Sequence, residues 1–286
     1  MRLTAWPLLF ALGFTACHPF GTAARATPAE LAAFRRGSWM YQVAAVMGED
    51  PVAAAAQVSE WASRRGLTEL YLALGPTGAL LDDPGLPVFI AGLGAAGVSA
   101  EALIGDAAWT DPARRERMRE RIRAILDYNA GHAEGERFSA VHLDIENWTS
   151  DTPCAGQPPS CWLPDLTDTY HDAREMLDAS GMGLAADING TKLRAADLAP
   201  RQAVLDAAGR LLLMIYMQPL DRVERFATEC LDGIDPGPNT AMAAVRPVDF
   251  AAPCDVLSTL DDYFSQMPGY AGASGYNYAS YLALCP

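Results

Sequence analysis

The chain alternates short apolar runs with longer amphipathic stretches, and the alternation recurs at a spacing of roughly 30 residues. Each pair of runs is typical of one βα unit, so the pattern predicts a parallel sheet whose strands are connected by helices. The number of predicted strands is eight, which is the number that a closed barrel requires. They cover residues 38–43, 67–74, 98–104, 139–145, 183–188, 211–217, 240–245 and 271–276.

Helices are predicted between these strands at residues 51–65, 111–128, 166–179, 198–208 and 256–267. The segment 111–128 has the clearest signals. Thr110 or Asp111 can cap the helix, Pro112 suits its first turn, and apolar residues recur at helical spacing from Met118 to Leu126.

An open, doubly wound sheet could be built from the same units, but it usually carries a glycine-rich nucleotide-binding turn after its first strand. The pairs Gly92/Gly94 and Gly181/Gly183 lack the third glycine and the strand-to-helix context, and we interpret both as turns. The sequence therefore favours an α/β fold of the (β/α)8 TIM-barrel type, in which chemistry is expected in the loops that follow the strands.

The N-terminal segment is typical of an export signal. Arg2 precedes an apolar run over residues 5–15, which is shorter than the roughly 20 residues that a membrane-spanning helix needs. Two cleavage patterns compete: residues 14–17, ending in Cys17, resemble a lipobox, and residues 24–26 fit an ordinary signal peptidase site. We slightly favour the lipobox.

The expected domains are therefore a signal peptide, or a lipoprotein signal with a tether, at residues 1–26 and one barrel domain at residues 27–286. The expected location is the periplasm, the outer membrane as a lipoprotein, or the extracellular space. Contact with a membrane is expected only through a lipid on Cys17.

The net charge of −14 predicts that the surface repels nucleic acid and anionic lipid, so a neutral or cationic ligand is favoured. The sequence contains no Gly-x-Ser-x-Gly elbow, no His-Glu-x-x-His motif and no Walker pattern. Acyl transfer, zinc proteolysis and nucleotide hydrolysis therefore have no support, and no cofactor is expected.

An exported chain keeps its cysteines in an oxidising compartment, so disulfides are expected. Cys154 and Cys161 delimit a short loop that one bridge would close. We predict Cys230–Cys254 as the second bridge, which leaves Cys285 unpaired; Cys230–Cys285 is the alternative pairing. The spacings do not favour zinc, because no Cys-x-x-Cys pair is present.

Residues 141–148, Val-His-Leu-Asp-Ile-Glu-Asn-Trp, are the most informative for function because they predict a buried strand that ends in two carboxylates. Successive strand side chains alternate between faces, so His142, Asp144 and Glu146 project the same way. Buried acids are costly unless they are paired, and a chain that needed only a packed core would place Val or Ile there. The pattern therefore indicates chemistry.

Cleavage of a glycosidic bond by general acid/base catalysis normally uses two carboxyl groups. Glu146 is the predicted general acid, and Asp144 would raise the pKa of one member of the pair by repulsion or by a shared proton. Asp187 and Asp106 are candidates for a second, more distant carboxylate. Tyr216 is expected to stabilise charge near the scissile bond.

Aromatic and polar residues follow the other strands, and aromatic rings are suited to stack on the C–H faces of a sugar. We predict that substrate is contacted by Tyr41, Asp106, Trp109, Trp148, Gln218, Arg246 and Tyr276.

Structural alternatives exist for these residues. Asp144 and Glu146 could form a buried network with Arg246, or could join Asp187 and Asp106 in a calcium or magnesium site, either in a metal-dependent hydrolase or as a stabilising ion. The interpretation that we favour for His142 is a hydrogen-bonded core histidine. The same reasoning leaves Trp109 and Trp148 open as core or loop anchors.

The Asp144-Ile-Glu146 strand end and the later Met214-Ile-Tyr216 resemble the pattern of family 18 chitinases. In that family the Glu of a DxxDxDxE strand is the acid, and the Asp two residues before it supports the substrate's acetamido group. Ser139 and His142 stand where the earlier aspartates would be, and Met217 and Gln218 follow Tyr216 where the family has Asp. A wider set of exported glycosidase-like barrels is the closer resemblance.

That resemblance implies the barrel and a site directed at glycans. The expected function is an exported glycosidase that cleaves a polysaccharide or glycoconjugate. The alternative is a noncatalytic glycan-binding or envelope lipoprotein on the same scaffold, which the departures at Ser139, His142 and Met217 favour.

Overall fold

The computed structural model describes residues 34–147, 160–217, 219–235, 237 and 240–286. Within these residues eight parallel strands close into a barrel in chain order, and the first strand pairs with both the second and the last. The expected (β/α)8 barrel is confirmed. The strands are β1 (Arg35–Met40), β2 (Glu69–Ala73), β3 (Ser99–Ile104), β4 (Ala140–Leu143), β5 (Gly183–Asn189), β6 (Arg210–Met214), β7 (Thr240–Val245) and β8 (Tyr270–Gly275).

Helices pack around the outside of the barrel and connect its strands. No helix in the described part of the chain combines the length and the apolar character needed to cross a bilayer. The helices are α1 (Val43–Met47), α2 (Pro51–Arg65), α3 (Gly85–Ala95), α4 (Arg115–Gly131), α5 (Leu163–Asp178), α6 (Gly190–Leu193), α7 (Leu198–Ala208), α8 (Leu220–Leu231), α9 (Val256–Phe264) and α10 (Tyr278–Leu284).

The first long helix, α2, has boundaries that its sequence explains. The Asp50 side chain accepts a hydrogen bond from the Ala53 N–H, and Pro51 occupies the first turn, where no intrahelical donor is needed. The helix ends at Gly66, which adopts a left-handed conformation with φ of 64°. These are local signals, and the predicted bounds of α2 and α7 are confirmed at both ends.

Two segments differ from the sequence-based expectation. The apolar run at residues 38–43 is not one strand: β1 ends at Met40, and Val43 begins α1, because apolar composition alone does not separate a strand from a buried helix. The interpretation of Gly92 and Gly94 as a turn is wrong, since both lie inside α3. A Cβ on Gly92 would lie 2.6 Å from the Ala55 side chain, so glycine permits the close packing of α3 on α2.

The disulfide prediction is corrected by the structure. Cys254 and Cys285 form a bridge with a Cα–Cα distance of 5.5 Å, and Cys230 is reduced and buried. Cys230 donates its S–H to the Gly190 carbonyl at 3.0 Å inside the fold, which leaves Cys285 to pair with Cys254. Cys161 is disulfide-bonded, and its predicted partner Cys154 lies outside the described residues.

The apolar core lies between the sheet and the helices, whereas the inside of the barrel is polar. Core side chains such as Phe89, Leu93 and Ile122 are fully or almost fully buried. Inside the barrel, by contrast, Glu69, Glu101, His142, Asp187 and Arg210 are all buried. Burial of so many ionisable groups requires that they pair with one another, and their pairing sets the electrostatics of the barrel mouth.

Candidate active site

Asp144 and Glu146 lie at the C-terminal mouth of the barrel, immediately after β4 ends at Leu143. The Asp144 N–H donates to the Ile104 carbonyl at 2.9 Å, which continues the pairing with β3 for one residue beyond the strand. Gly105 follows Ile104 on the neighbouring segment, and a Cβ on Gly105 would overlap the Asp144 carbonyl oxygen. A glycine is therefore needed for the segments that follow β3 and β4 to approach at this point.

The Asp144 carboxyl is buried without full hydrogen bonding. Its Oδ1 atom is inaccessible to solvent and has no hydrogen-bond partner among the described residues. Burial raises the pKa of Asp144 well above its usual range, and repulsion from Asp187 and Glu146 adds to this effect. The raised pKa favours the neutral carboxylic acid form of Asp144, and one of its oxygens is left to serve a ligand.

Glu146, two residues further along, is partly buried and nearer the opening. Burial raises its pKa, and repulsion from Asp187 contributes as well. A carboxyl with a raised pKa retains its proton closer to neutral pH, as a general acid must.

Asp187 lies inside the barrel on β5 and has no exposed surface. Its Oδ1 is 3.0 Å from Nε2 of His142, and its Oδ2 accepts a hydrogen bond from the Trp39 indole N–H at 2.9 Å. Both carboxylate oxygens are thus engaged below the mouth. The assignment of Asp187 as a second carboxylate that acts on substrate stays a prediction, and the structure places its carboxylate in contact with His142 and Trp39.

Three tyrosines surround the mouth. The Tyr276 ring lies 5.7 Å from the Tyr41 ring and 5.4 Å from the Tyr216 ring, measured between centroids. Burial raises the pKa of Tyr216, and repulsion from Asp187 adds to it, so the hydroxyl remains a hydrogen-bond donor. Tyr41 is 43% exposed and offers an aromatic face at the edge.

Arg246 follows β7 beside this cluster. Its guanidinium carbon lies 5.8 Å from the centre of the Tyr216 ring, and the side chain forms an ion pair with Asp249 at 2.8 Å. The alternative in which Arg246 neutralises Asp144 and Glu146 therefore loses its main support, because its charge is directed to Asp249.

The remaining predicted contacts divide into two groups. Asp106 accepts a hydrogen bond from the Ala108 N–H at 2.9 Å and caps a turn, while Trp109 is only 6% exposed and packs in the core, in agreement with the loop-anchor alternative. Both line a small cavity of about 280 Å³ between the loops after β2 and β3. Trp148 and Gln218 lie outside the described residues.

His142 is a buried, hydrogen-bonded histidine, as the sequence indicated, but its partners were not anticipated. Its Nδ1 is 3.1 Å from Glu101, and Glu101 in turn forms an ion pair with Arg210. Glu101, Arg210 and Trp39 were not predicted, because only residues at or beyond the strand ends were considered as candidates. A usable signal was present, since charged residues within otherwise apolar strands must face the inside of the barrel or each other.

A larger cavity, of about 950 Å³, opens at the opposite end of the barrel. Arg35, Glu101 and Arg210 line it, and none of the residues predicted to bind substrate does. Barrel enzymes carry their active sites at the C-terminal ends of the strands, so the mouth with Asp144 and Glu146 is the candidate active site.

The alternative of a calcium or magnesium site is not supported by the arrangement of the described acidic residues. In the part of the chain that the structure describes, no three His, Cys, Asp or Glu side chains are placed together as ligands for one ion. Asp106, Asp144, Glu146 and Asp187 therefore do not form a shared ligand set.

Comparison with known proteins supports the class of fold. No known protein family matches this chain, and no curated protein is similar to it in sequence. Among solved structures, a GH18 chitinase from Pseudoalteromonas aurantia matches 86% of this chain and 94% of its own, with a TM-score of 0.55 and 11% identity. A putative α-L-fucosidase from Bacteroides thetaiotaomicron matches 86% of this chain and 88% of its own, with a TM-score of 0.55 and 8% identity.

At these identities the likeness concerns the fold. The protein is a TIM barrel, and the distant resemblance to glycoside-hydrolase barrels that the sequence suggested is confirmed for the fold.

Proposed function

We propose that the protein is an exported glycosidase that cleaves a polysaccharide or glycoconjugate, with Glu146 as the proton donor and Asp144 as its partner. One observation carries the proposal: a buried carboxyl oxygen of Asp144 without a hydrogen-bond partner among the described residues adjoins a second carboxyl, Glu146, whose pKa is raised. An unsatisfied buried acid destabilises a fold, and its presence at the C-terminal mouth of a barrel is expected when a ligand completes it.

The chemistry of the two acids favours a sugar that bears a 2-acetamido group. The raised pKa of Asp144 favours its neutral form, which is a poor nucleophile, and both oxygens of Asp187 are engaged by Trp39 and His142 below the mouth. The substrate's own acetamido oxygen would then attack the anomeric carbon while Glu146 protonates the departing glycosidic oxygen, and water would complete the hydrolysis. The free Oδ1 of Asp144 would accept the acetamido N–H.

The surrounding rings fit the same proposal. Tyr41, Tyr216 and Tyr276 provide aromatic faces and hydroxyl donors at the mouth, and Arg246 lies beside Tyr216. Export, with Cys17 as the lipid attachment site, rests on the N-terminal segment. The Cys254–Cys285 bridge supports it, because disulfides persist in oxidising compartments.

The test is release of reducing ends by the purified protein from chitin oligosaccharides, peptidoglycan, galactosaminoglycan and plant glycans. Glu146→Gln should lower kcat by about 10²- to 10⁴-fold, because it removes the transferable proton. Glu175→Gln, an exposed acid on the outside of α5, is the matched control and should retain full activity.

A paired substrate tests the acetamido group. An oligosaccharide and its de-N-acetylated counterpart should differ, with cleavage of the acetylated form only. Equal cleavage of both would overturn the role assigned to Asp144 and leave the glycosidase in place.

The alternative function is glycan binding without cleavage, favoured by His142 and Ser139 where the chitinase pattern has aspartates. It predicts no release from any glycan, together with equal retention of one glycan by the wild type and by Glu146→Gln. That combination would replace the proposed activity.

A further inference from the structure

A column of hydrogen-bonded charged side chains runs along the inside of the barrel. It extends from the end opposite the mouth, here called the lower end, to the candidate active site. Arg210 on β6 forms ion pairs with Glu101 on β3 and, at 3.0 Å, with Glu69 on β2. Glu101 lies 3.1 Å from one nitrogen of the His142 ring, and the other nitrogen lies 3.0 Å from Asp187. Five strands, β2 to β6, thus contribute to one continuous chain of contacts.

The geometry around His142 determines its protonation. A neutral imidazole has one N–H donor and one acceptor nitrogen, whereas an ionised carboxylate only accepts. Each ring nitrogen of His142 faces a carboxylate oxygen, so both contacts are hydrogen bonds only when both nitrogens carry a proton. The contacts therefore call for an imidazolium.

The charge balance of the cluster leads to the same conclusion. The carboxylates of Glu69, Glu101 and Asp187 face the cations Arg210 and Arg35, and Arg35 contributes from the half-exposed lower rim at 3.1 Å from Glu69. Three anions against two cations leave a buried net charge, which is costly. A protonated His142 restores the balance.

We propose that His142 is a positioning residue: a buried imidazolium that holds Asp187 in place as an anion beneath Asp144 and Glu146. The ring would anchor Asp187 from below while Trp39 fixes its other oxygen. The Asp187 anion raises the pKa of both mouth carboxyls by repulsion, and the imidazolium, which attracts the Asp144 carboxylate, limits that rise for Asp144. The consequence for catalysis rests on the proposed function, while the ionisation of His142 does not.

The other groups that face His142 are compatible with a cation. The Tyr71 ring lies 4.2 Å away and the Trp39 ring 6.1 Å away between centroids, and both present aromatic surface. Tyr71 directs its hydroxyl to Glu69 at 2.7 Å and so does not compete for the ring. Burial alone lowers the pKa of His142, but attraction to Asp187 and Glu101 outweighs it and raises the pKa to about 9.

The direct test is ¹⁵N NMR of the histidine rings in the whole protein, with the His142 signal assigned by its loss in His142→Gln. His171→Gln, at an exposed site on α5, is the control. The expected result is an imidazolium with both nitrogens protonated at pH 7 that titrates near pH 9. Asp187→Asn should lower that midpoint by about one unit or more, because it removes one attracting charge. A single neutral tautomer at pH 7 would overturn the proposal.

A second test measures the pH dependence of kcat/KM for His142→Gln. Loss of a positive charge makes every nearby carboxyl harder to ionise, so His142→Gln should move the alkaline limb of the pH–rate profile, where Glu146 loses its proton, to higher pH by about one unit. A lower rate with an unshifted alkaline limb would mean a structural role only. If His142→Gln does not fold, the His142 signal is assigned by elimination, as the one that remains in His18→Gln, His132→Gln and His171→Gln. Its shift in Asp187→Asn then decides the matter, since it is observed without activity.

The two proposals fail separately. An imidazolium in a protein that cleaves no glycan would leave this inference standing and remove the glycosidase. Glycan cleavage by a protein with a neutral His142 would do the reverse.

Discussion

The two ends of the barrel interior both bury carboxyl groups, but they treat them in opposite ways. At the lower end Glu101 contacts Arg210 and His142, and these cations hold its pKa at about 2 although burial acts to raise it. At the upper end the pKa of Asp144 is raised well above its usual range, because burial and two neighbouring acids act in the same direction. The difference indicates that the lower acids stabilise the barrel, and it fits the proposal that the upper acids serve a ligand.

The two ends also respond to pH in opposite directions. The folded state depresses the pKa of Glu101, so its contribution to stability is present above about pH 4.5 and is lost as the pH falls through 2. Asp144 has a raised pKa, so the folded protein binds more protons than the unfolded chain and loses stability as the pH rises above 3.8. The barrel therefore carries a stabilising acid below and a destabilising one above.

The largest expected effect comes from removing the cation at the lower end. Arg210→Met leaves Glu69 and Glu101 buried beside an apolar side chain, which should lower the free energy of unfolding by about 3–5 kcal/mol. Denaturant unfolding measures it. Arg123→Met breaks an exposed pair with Glu116 and should lower the free energy of unfolding far less, because solvent screens that pair. Equal losses in the two variants would erase the distinction between buried and exposed pairs.

An intermediate effect is expected where the two ends meet, at Asp187. Trp39→Phe removes the donor to one carboxylate oxygen and should cost about 2–3 kcal/mol. Trp61→Phe is the matched control, because the Trp61 indole is equally buried but donates to a neutral carbonyl, that of Cys285, at 2.9 Å. The measurement is the difference between the two unfolding free energies, and a larger loss for Trp61→Phe would contradict a buried anion at Asp187.

The smallest expected effect is a gain in the free energy of unfolding, whereas the two larger effects are losses. Asp144→Asn should leave the free energy of unfolding unchanged at pH 4 and raise it by about 1 kcal/mol at pH 8. At pH 8 the folded wild type must either bury the ionised carboxylate or hold a proton that the unfolded chain has lost, and both cost free energy. Unfolding free energies between pH 4 and pH 8 check this. The exposed Asp127→Asn serves as the control and should run parallel to the wild type. A stability loss in Asp144→Asn that is the same at every pH would place Asp144 among the structural acids.

Much of the scaffold could be predicted because its signals are local. Helix α2 has its cap at Asp50 and its left-handed terminator at Gly66, and both depend only on neighbours in sequence. The apolar run at residues 38–43 was misassigned in part for the same reason: a strand that leads directly into a helix gives one continuous apolar signal.

Partners distant in sequence could not be predicted. The pairing of Cys254 with Cys285 instead of Cys230 depends on where α8, α9 and α10 end in space. Trp109 follows a strand end as a binding residue would, yet it is buried, since the turn capped by Asp106 directs it into the core.

The sequence by itself determined the barrel and the position of Asp144 and Glu146 at its mouth, because strand periodicity and the alternation of side chains are properties of single segments. Only the tertiary structure decided what each acid contacts. Register across three strands places His142 between Glu101 and Asp187 and leaves an Asp144 oxygen without a partner among the described residues. Pairing of buried charges depends on distances of a few ångströms between strands, and such distances exist only once the barrel has closed.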